Sequence, residues 1–236
     1  MGQGIDAVPH EELSELERIA REMGINAHAA RNQKWAGGLP YAEHLKRVRD
    51  CLNRFMQSRV GPHDLERLRC AAWLHDAVED AGMQLATIEQ ECGPYIRALV
   101  WAVTDEPGAN RAEKHSKTFP KTKNVAYAIN LKLADRIVNV EANLQTQNRG
   151  GYFEMYRKEH AEFKKQLYTP NTSADDMWAH LDRIMSAEPS KQAVKLADKV
   201  MVALPSSTLN ENERIDTRDR IAVILHEELG KLTTIS

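Results

Sequence analysis

The stretch Cys70-Ala-Ala-Trp-Leu-His75-Asp76-Ala-Val-Glu79-Asp80-Ala-Gly82 constrains this chain more than any other. Apolar residues at helical spacing follow Asp64, a candidate N-cap, and Gly82 is a candidate C′ stop, so the pattern predicts a helix running to that glycine. On such a helix Glu79 lies one turn from both His75 and Asp76, and Asp80 lies one turn from Asp76. One face then gathers an imidazole and three carboxylates, at the helix end that already carries roughly half a negative charge. Nothing nearby in the sequence neutralises the cluster. Either the carboxylates face water or a cation sits among them, and the pattern favours a metal ion.

The segments around this stretch also read as helices. Residues 10–23 repeat apolar positions every three or four residues, and 24–35 reads as a second short helix. Gly37-Gly38 and Pro40 break the pattern, and Pro40 suits the first turn of a helix over about 40–58. Further on, 85–91 reads as a helical turn and 93–104 as a buried helix. Residues 105–123 change character, with Glu106-Pro-Gly108 followed by Arg111, Lys114, His115, Lys117, Lys121 and Lys123, and read as a long basic loop. Helices are expected over about 123–146 and 152–168, and three more over 171–236 with breaks near Pro189 and Pro205. Lys195-Leu-Ala-Asp198 echoes Lys132-Leu-Ala-Asp135, a short match that amphipathic helices produce readily by chance. No stretch alternates as a strand does. The expected fold class is all-α.

Composition sets outer bounds. A chain of 236 residues suits one domain, or one domain with an extension. A net charge of -2 argues against a general nucleic-acid binder, though not against a local basic pocket. Cys51, Cys70 and Cys92 form no CxxC pair and leave one odd, which argues against a disulfide framework. The polar N-terminus lacks an apolar signal core, and no run of 18 apolar residues is present to span a membrane. The expectation is a soluble, cytoplasmic protein in a reducing compartment.

A His-Asp dipeptide alone means little, and His63-Asp64 in the same chain reads as helix capping. His75-Asp76 gains weight from His44 on the preceding helix and from Asp135, set among Leu131, Leu133, Ala134, Ile137 and Val138. A carboxylate at such a position is costly to bury unpaired. It can bind a metal, pair with Lys132, Arg136 or a neighbouring helix, or face solvent. Two imidazoles and two carboxylates suit manganese, iron or zinc, and the sequence does not choose among them.

Four motifs in order carry a resemblance. They are Gly38-Leu-Pro40-Tyr41-Ala-Glu-His44, Ala71-Ala-Trp-Leu-His75-Asp76-Ala-Val-Glu79-Asp80, Leu99-Val-Trp-Ala-Val103-Thr104-Asp105 and Lys132-Leu-Ala-Asp135-Arg-Ile-Val-Asn139. From about residue 20 to 168 the chain resembles the HD-domain hydrolases of guanosine tetraphosphate, which comprise the hydrolase half of RelA/SpoT proteins and the small Mesh1-like alarmone hydrolases. The resemblance implies an HD-domain helical bundle over 1–170 and a helical extension of unknown role over 171–236. It implies that His44, His75, Asp76 and Asp135 hold one Mn2+ ion, with Zn2+ or Fe2+ as alternatives. It further implies that Glu79 and Asp80 orient or deprotonate the attacking water, and that Lys34, Tyr41, Lys132 and Asn139 line the nucleotide pocket. Two positions depart from the family pattern. Leu45 stands where proline usually follows the histidine, and Gln33 stands where a second basic residue commonly precedes Lys34; Arg31 is a candidate substitute.

The implied reaction is hydrolysis of (p)ppGpp to GDP or GTP and pyrophosphate. The implied partner is a small-molecule nucleotide, with no nucleic acid or membrane, and the oligomeric state stays open. Too little chain follows Pro170 for a synthetase domain. Two other functions compete: an HD phosphohydrolase acting on another nucleotide or on NADPH, and a nucleotide-sensing or partner-binding module built on the extension.

Overall fold

The structure, a computed structural model, describes residues 13–145 and 152–186 and the isolated positions 196, 199 and 200. Among the described residues the regular structure is helical except for one ribbon of two two-residue strands. Helix α1 (Glu15–Ala30) starts where the Ser14 hydroxyl accepts the Glu17 N–H at 3.1 Å, with Glu15 and Glu17 in the favourable first turn. It runs unbroken through Gly24, where a break into two helices was expected. A Cβ at position 24 would lie 1.9 Å from the Trp73 carbonyl oxygen, so the glycine lets α1 press against the helix carrying Trp73.

The ribbon β1 (Lys34–Trp35) and β2 (Leu39–Pro40) is antiparallel, pairing Lys34 with Pro40 and Trp35 with Leu39 around a 3-10 turn at Ala36–Gly38. No strand was expected here, because two residues are too few to show alternation. Helix α2 (Tyr41–Met56) follows, with Pro40 at its N-cap.

Helix α3 (Pro62–Leu74) departs from expectation at both ends. It begins at Pro62, with Gly61 as N-cap and Asp64 inside the first turn. It ends at Leu74, and residues 75–81 form successive turns rather than more helix. Asp76, Glu79 and Asp80 would stack like charges one turn apart at a negative helix end, which opposes continuation. Gly82 therefore does not stop the helix; at φ +73° it closes the run of turns, where the Met83 N–H reaches back to the Ala77 carbonyl.

Helices α4 (Leu85–Cys92) and α5 (Pro94–Val103) meet at Gly93. The expected basic loop is largely helix α6 (Arg111–Asn124), capped by the Asn110 side chain on the Glu113 N–H. Helix α7 (Ala128–Gln145) is the centre of the fold and packs against α2, α3, α5, α6 and two later helices, α8 (Tyr152–Leu167) and α9 (Asp175–Ser186). Leu45, Leu52, Leu68, Leu74, Leu99 and Leu131 are fully buried in one core. Helix α9 lies beyond residue 170 yet buries Met177, Trp178 and Leu181 in that same core. No described helix is long and apolar enough to cross a membrane. The Lys195–Asp198 echo and the breaks near Pro189 and Pro205 fall outside the described residues.

Candidate metal centre

Three elements bring the site together. His44 is on the second turn of α2, His75 and Asp76 begin the turn that ends α3, and Asp135 is in the middle of α7. One donor atom from each of the four lies within 4.8 Å of all the others. His44 Nε2 is 3.3 Å from His75 Nε2, 3.4 Å from Asp76 Oδ2 and 3.3 Å from Asp135 Oδ1. His75 Nε2 is 2.9 Å from Asp76 Oδ2 and 3.7 Å from Asp135 Oδ1. Donors bound to a metal at about 2.0–2.2 Å lie roughly 3–3.5 Å apart, so these spacings fit one ion.

The ring orientation also fits. His75 Nδ1 is 2.9 Å from the Ala72 carbonyl oxygen and so keeps a proton, which leaves Nε2 as the ring atom an ion would take in place of a proton. Both imidazoles are buried while Asp76 and Asp135 are partly open, so the histidines form the floor and the carboxylates the rim. Burial alone would raise the carboxyl pKa values. The His75 charge and the hydrogen bonds from His44 and His75 outweigh burial and hold Asp76 well below the usual range, and the same two histidines act on Asp135. Conversely, burial would lower the His75 pKa, but Asp76 and Asp135 lift it well above its ordinary value. The set favours positive charge at its centre.

Further side chains hold this set in place. The Tyr41 hydroxyl donates to Asp76 Oδ2 at 2.5 Å and to Asp80 Oδ2 at 3.3 Å. Gln33 Nε2 donates to Asp80 Oδ2 at 2.8 Å, while Gln33 Oε1 is 2.7 Å from Nδ1 of buried His28, whose ring stacks on Tyr41. Gln33, a departure in sequence, is thus committed to Asp80. The Arg31 guanidinium donates to the Ala81 carbonyl at 3.3 Å and ties the end of α1 to the turn that carries Asp80. Glu79 accepts the Asp105 N–H at 3.1 Å, and desolvation of its carboxyl raises its pKa despite that bond.

The four residues expected to line a pocket are placed unequally. Tyr41 touches Asp76, and Asn139 Nδ2 donates to Asp135 Oδ1 at 2.6 Å. Lys132 is one step away, with its ammonium on the Val103 carbonyl and Asp105. Lys34 is exposed on the ribbon and makes no hydrogen bond to the cluster. The basic positions of α6 are largely spent within the protein: Arg111 binds Glu159, Lys117 binds Glu113, and Lys121 binds Glu106. Trp35 was missed by sequence reasoning. Its indole N–H donates to Asn139 Oδ1 at 3.0 Å, and a lone tryptophan beside two glycines carries no motif that would reveal this.

No family model matches the chain. Among curated proteins it is 28% identical over 149 residues to the mouse guanosine-3′,5′-bis(diphosphate) 3′-pyrophosphohydrolase MESH1, covering 63% of this chain and 80% of that protein. The chain resembles the MESH1 hydrolases. The human protein of that name matches equally, at 28% over 149 residues, and the Drosophila melanogaster one is 27% identical over 141 residues, covering 59% of this chain and 75% of that protein. Among solved structures, a metazoan ortholog of SpoT that hydrolyses ppGpp superposes with a TM-score of 0.55 at 22% identity. That alignment covers 75% of this chain and 96% of the other, so the all-α fold is shared with the MESH1-like structure.

Proposed function

We propose that this chain is a metal-dependent hydrolase of (p)ppGpp that uses one water, releases pyrophosphate from the 3′ position and leaves GDP or GTP. The observation that carries this reading is the convergence of His44, His75, Asp76 and Asp135 on one point from α2, the α3 end and α7. The resemblance to the MESH1 proteins supplies the substrate class. Manganese suits the mixed nitrogen and oxygen donors, with zinc or iron as alternatives. When bound, such an ion lowers the pKa of a water and polarises a phosphoryl oxygen.

The chain's own residues do the rest. Glu79 and Asp80 stand at the rim, Glu79 with a raised pKa suited to accepting and returning a proton, and Asp80 aimed by Gln33 and Tyr41. Lys34, exposed and without a carboxylate partner among the described residues, is available to the phosphates. Lys132 brings positive charge beside Glu79 through Asp105. Tyr41 and Asn139 orient Asp76 and Asp135 as well as facing the nucleotide. The three cysteines are free and buried, in keeping with a reducing, cytoplasmic setting.

The test is pyrophosphate release from ppGpp by purified protein, with Mn2+ and with chelator. Release is expected only with Mn2+. Asp76→Ala should lose ion and activity together, whereas Glu79→Gln should keep the ion and lose about 100-fold or more in turnover. Full turnover by Glu79→Gln removes Glu79 from the mechanism. The commitment of Gln33 to Asp80, in place of a second cation, favours one other reading, a different nucleotide or NADPH. No release from ppGpp by metal-loaded protein would select that reading.

A further inference from the structure

We propose that Trp35 is a positioning residue for the metal centre, acting through Asn139 to fix the Asp135 oxygen that completes the donor set. The inference rests on the metal reading above and concerns a side chain that no motif of the sequence marks.

An indole N–H can only donate, whereas an amide side chain has one accepting and one donating end. Trp35 Nε1 lies 3.0 Å from Asn139 Oδ1, so the accepting end of the amide is taken. Its NH2 must then face Asp135 Oδ1, at 2.6 Å. The reversed amide would set donor against donor at Trp35 and oxygen against oxygen at Asp135. Trp35 therefore determines which way Asn139 points, and Asn139 holds the same carboxylate oxygen that sits 3.3 Å from His44 Nε2.

The ring of Trp35 makes a second contact with the centre. It lies 5.2 Å from the His44 ring at a tilt of 38°, and the Arg47 guanidinium covers it at 5.1 Å. One side chain thus touches His44 on α2 directly and Asp135 on α7 through one amide. The ribbon holds it there, with Trp35 opposite Leu39 immediately before α2. Outer residues that orient metal ligands typically change ion affinity about 10–100-fold when removed.

The experiment is Mn2+ binding to the purified full chain, measured by competition with a chelating indicator, alongside the melting temperature of the ion-free protein. Trp35→Phe keeps an aromatic ring between His44 and Arg47 and removes the N–H together with the pyrrole part of the indole. It is expected to weaken Mn2+ binding about 10-fold with an unchanged ion-free melting temperature. Asn139→Leu should lose at least as much. The double variant should lose no more than Asn139→Leu alone, because both changes cut one chain of bonds. Wild-type affinity in Trp35→Phe, or additive losses in the double variant, would overturn the inference while leaving the metal reading intact. A wild-type protein that binds none of Mn2+, Zn2+ and Fe2+ would overturn both.

Discussion

Histidine serves this molecule in opposite ways at two positions. His75 is lifted in pKa by carboxylates, whereas His115 on α6 is pushed down to about 4, first by burial and then by the Arg111 charge. The His115 ring stacks on Phe119 at 4.6 Å. Because its folded pKa lies below the ordinary value of about 6.5, the unfolded chain takes up the proton more readily between those values. The stability that neutral His115 contributes is complete above about pH 6.5 and is lost as pH falls towards 4. His115→Gln should therefore narrow the stability difference between pH 7 and pH 5, by on the order of 1–2 kcal/mol relative to wild type, in urea unfolding followed at both pH values. At this scale the sequence revealed residues whose oddity is local. Asp135 among leucines and the His75-Asp76 pair stand out by themselves, and all three side chains lie in the donor cluster. Trp35 and Gln33 do not, because their roles depend on partners 104 and 47 residues away in the chain.

Elements were legible where one face was apolar by residue type. The helices around Leu45, Leu99 and Leu131 follow directly from spacing. Helix α6 was hidden because its buried face is His115, Thr118, Phe119 and Thr122, which has helical spacing but mostly polar residues. Those threonines are buried because their hydroxyls are used: Thr122 donates to the Ala102 carbonyl at 2.7 Å, and Thr118 accepts the Glu106 N–H at 2.8 Å. The unbroken α1 was hidden for a different reason, since a glycine within a helix reads as a break until its neighbour is known. Gly24 gives the sharpest expectation at this scale. Gly24→Ala places a carbon against the Trp73 carbonyl, a backbone atom two residues before His75, and should cost about 1–3 kcal/mol or more in denaturant unfolding. A substitution at Gly24 without such a loss would mean that α1 and α3 are not pressed together.

For the molecule as a whole, α9 extends the core past residue 170. Phe163 on α8 meets Trp178 on α9 at 5.4 Å, and Asp182 on α9 accepts from Lys164 and lies 2.8 Å from His160. A chain stopped after residue 170 would uncover this face of α7 and α8, whereas one stopped after 186 would keep it. The longer truncation should unfold cooperatively in urea and the shorter should not. Trp178→Ala within the full chain should cost about 3–5 kcal/mol. Equal, cooperative unfolding of both truncations would place α9 outside the folding unit. The donor set has a consequence at this same scale. His44 and Asp135 are far apart along the chain, and their donor oxygen and nitrogen meet only after α2, α3 and α7 have docked. An ion held by all four donors would therefore stabilise only the structure in which these helices have docked, and would add nothing to a chain in which one of them is displaced.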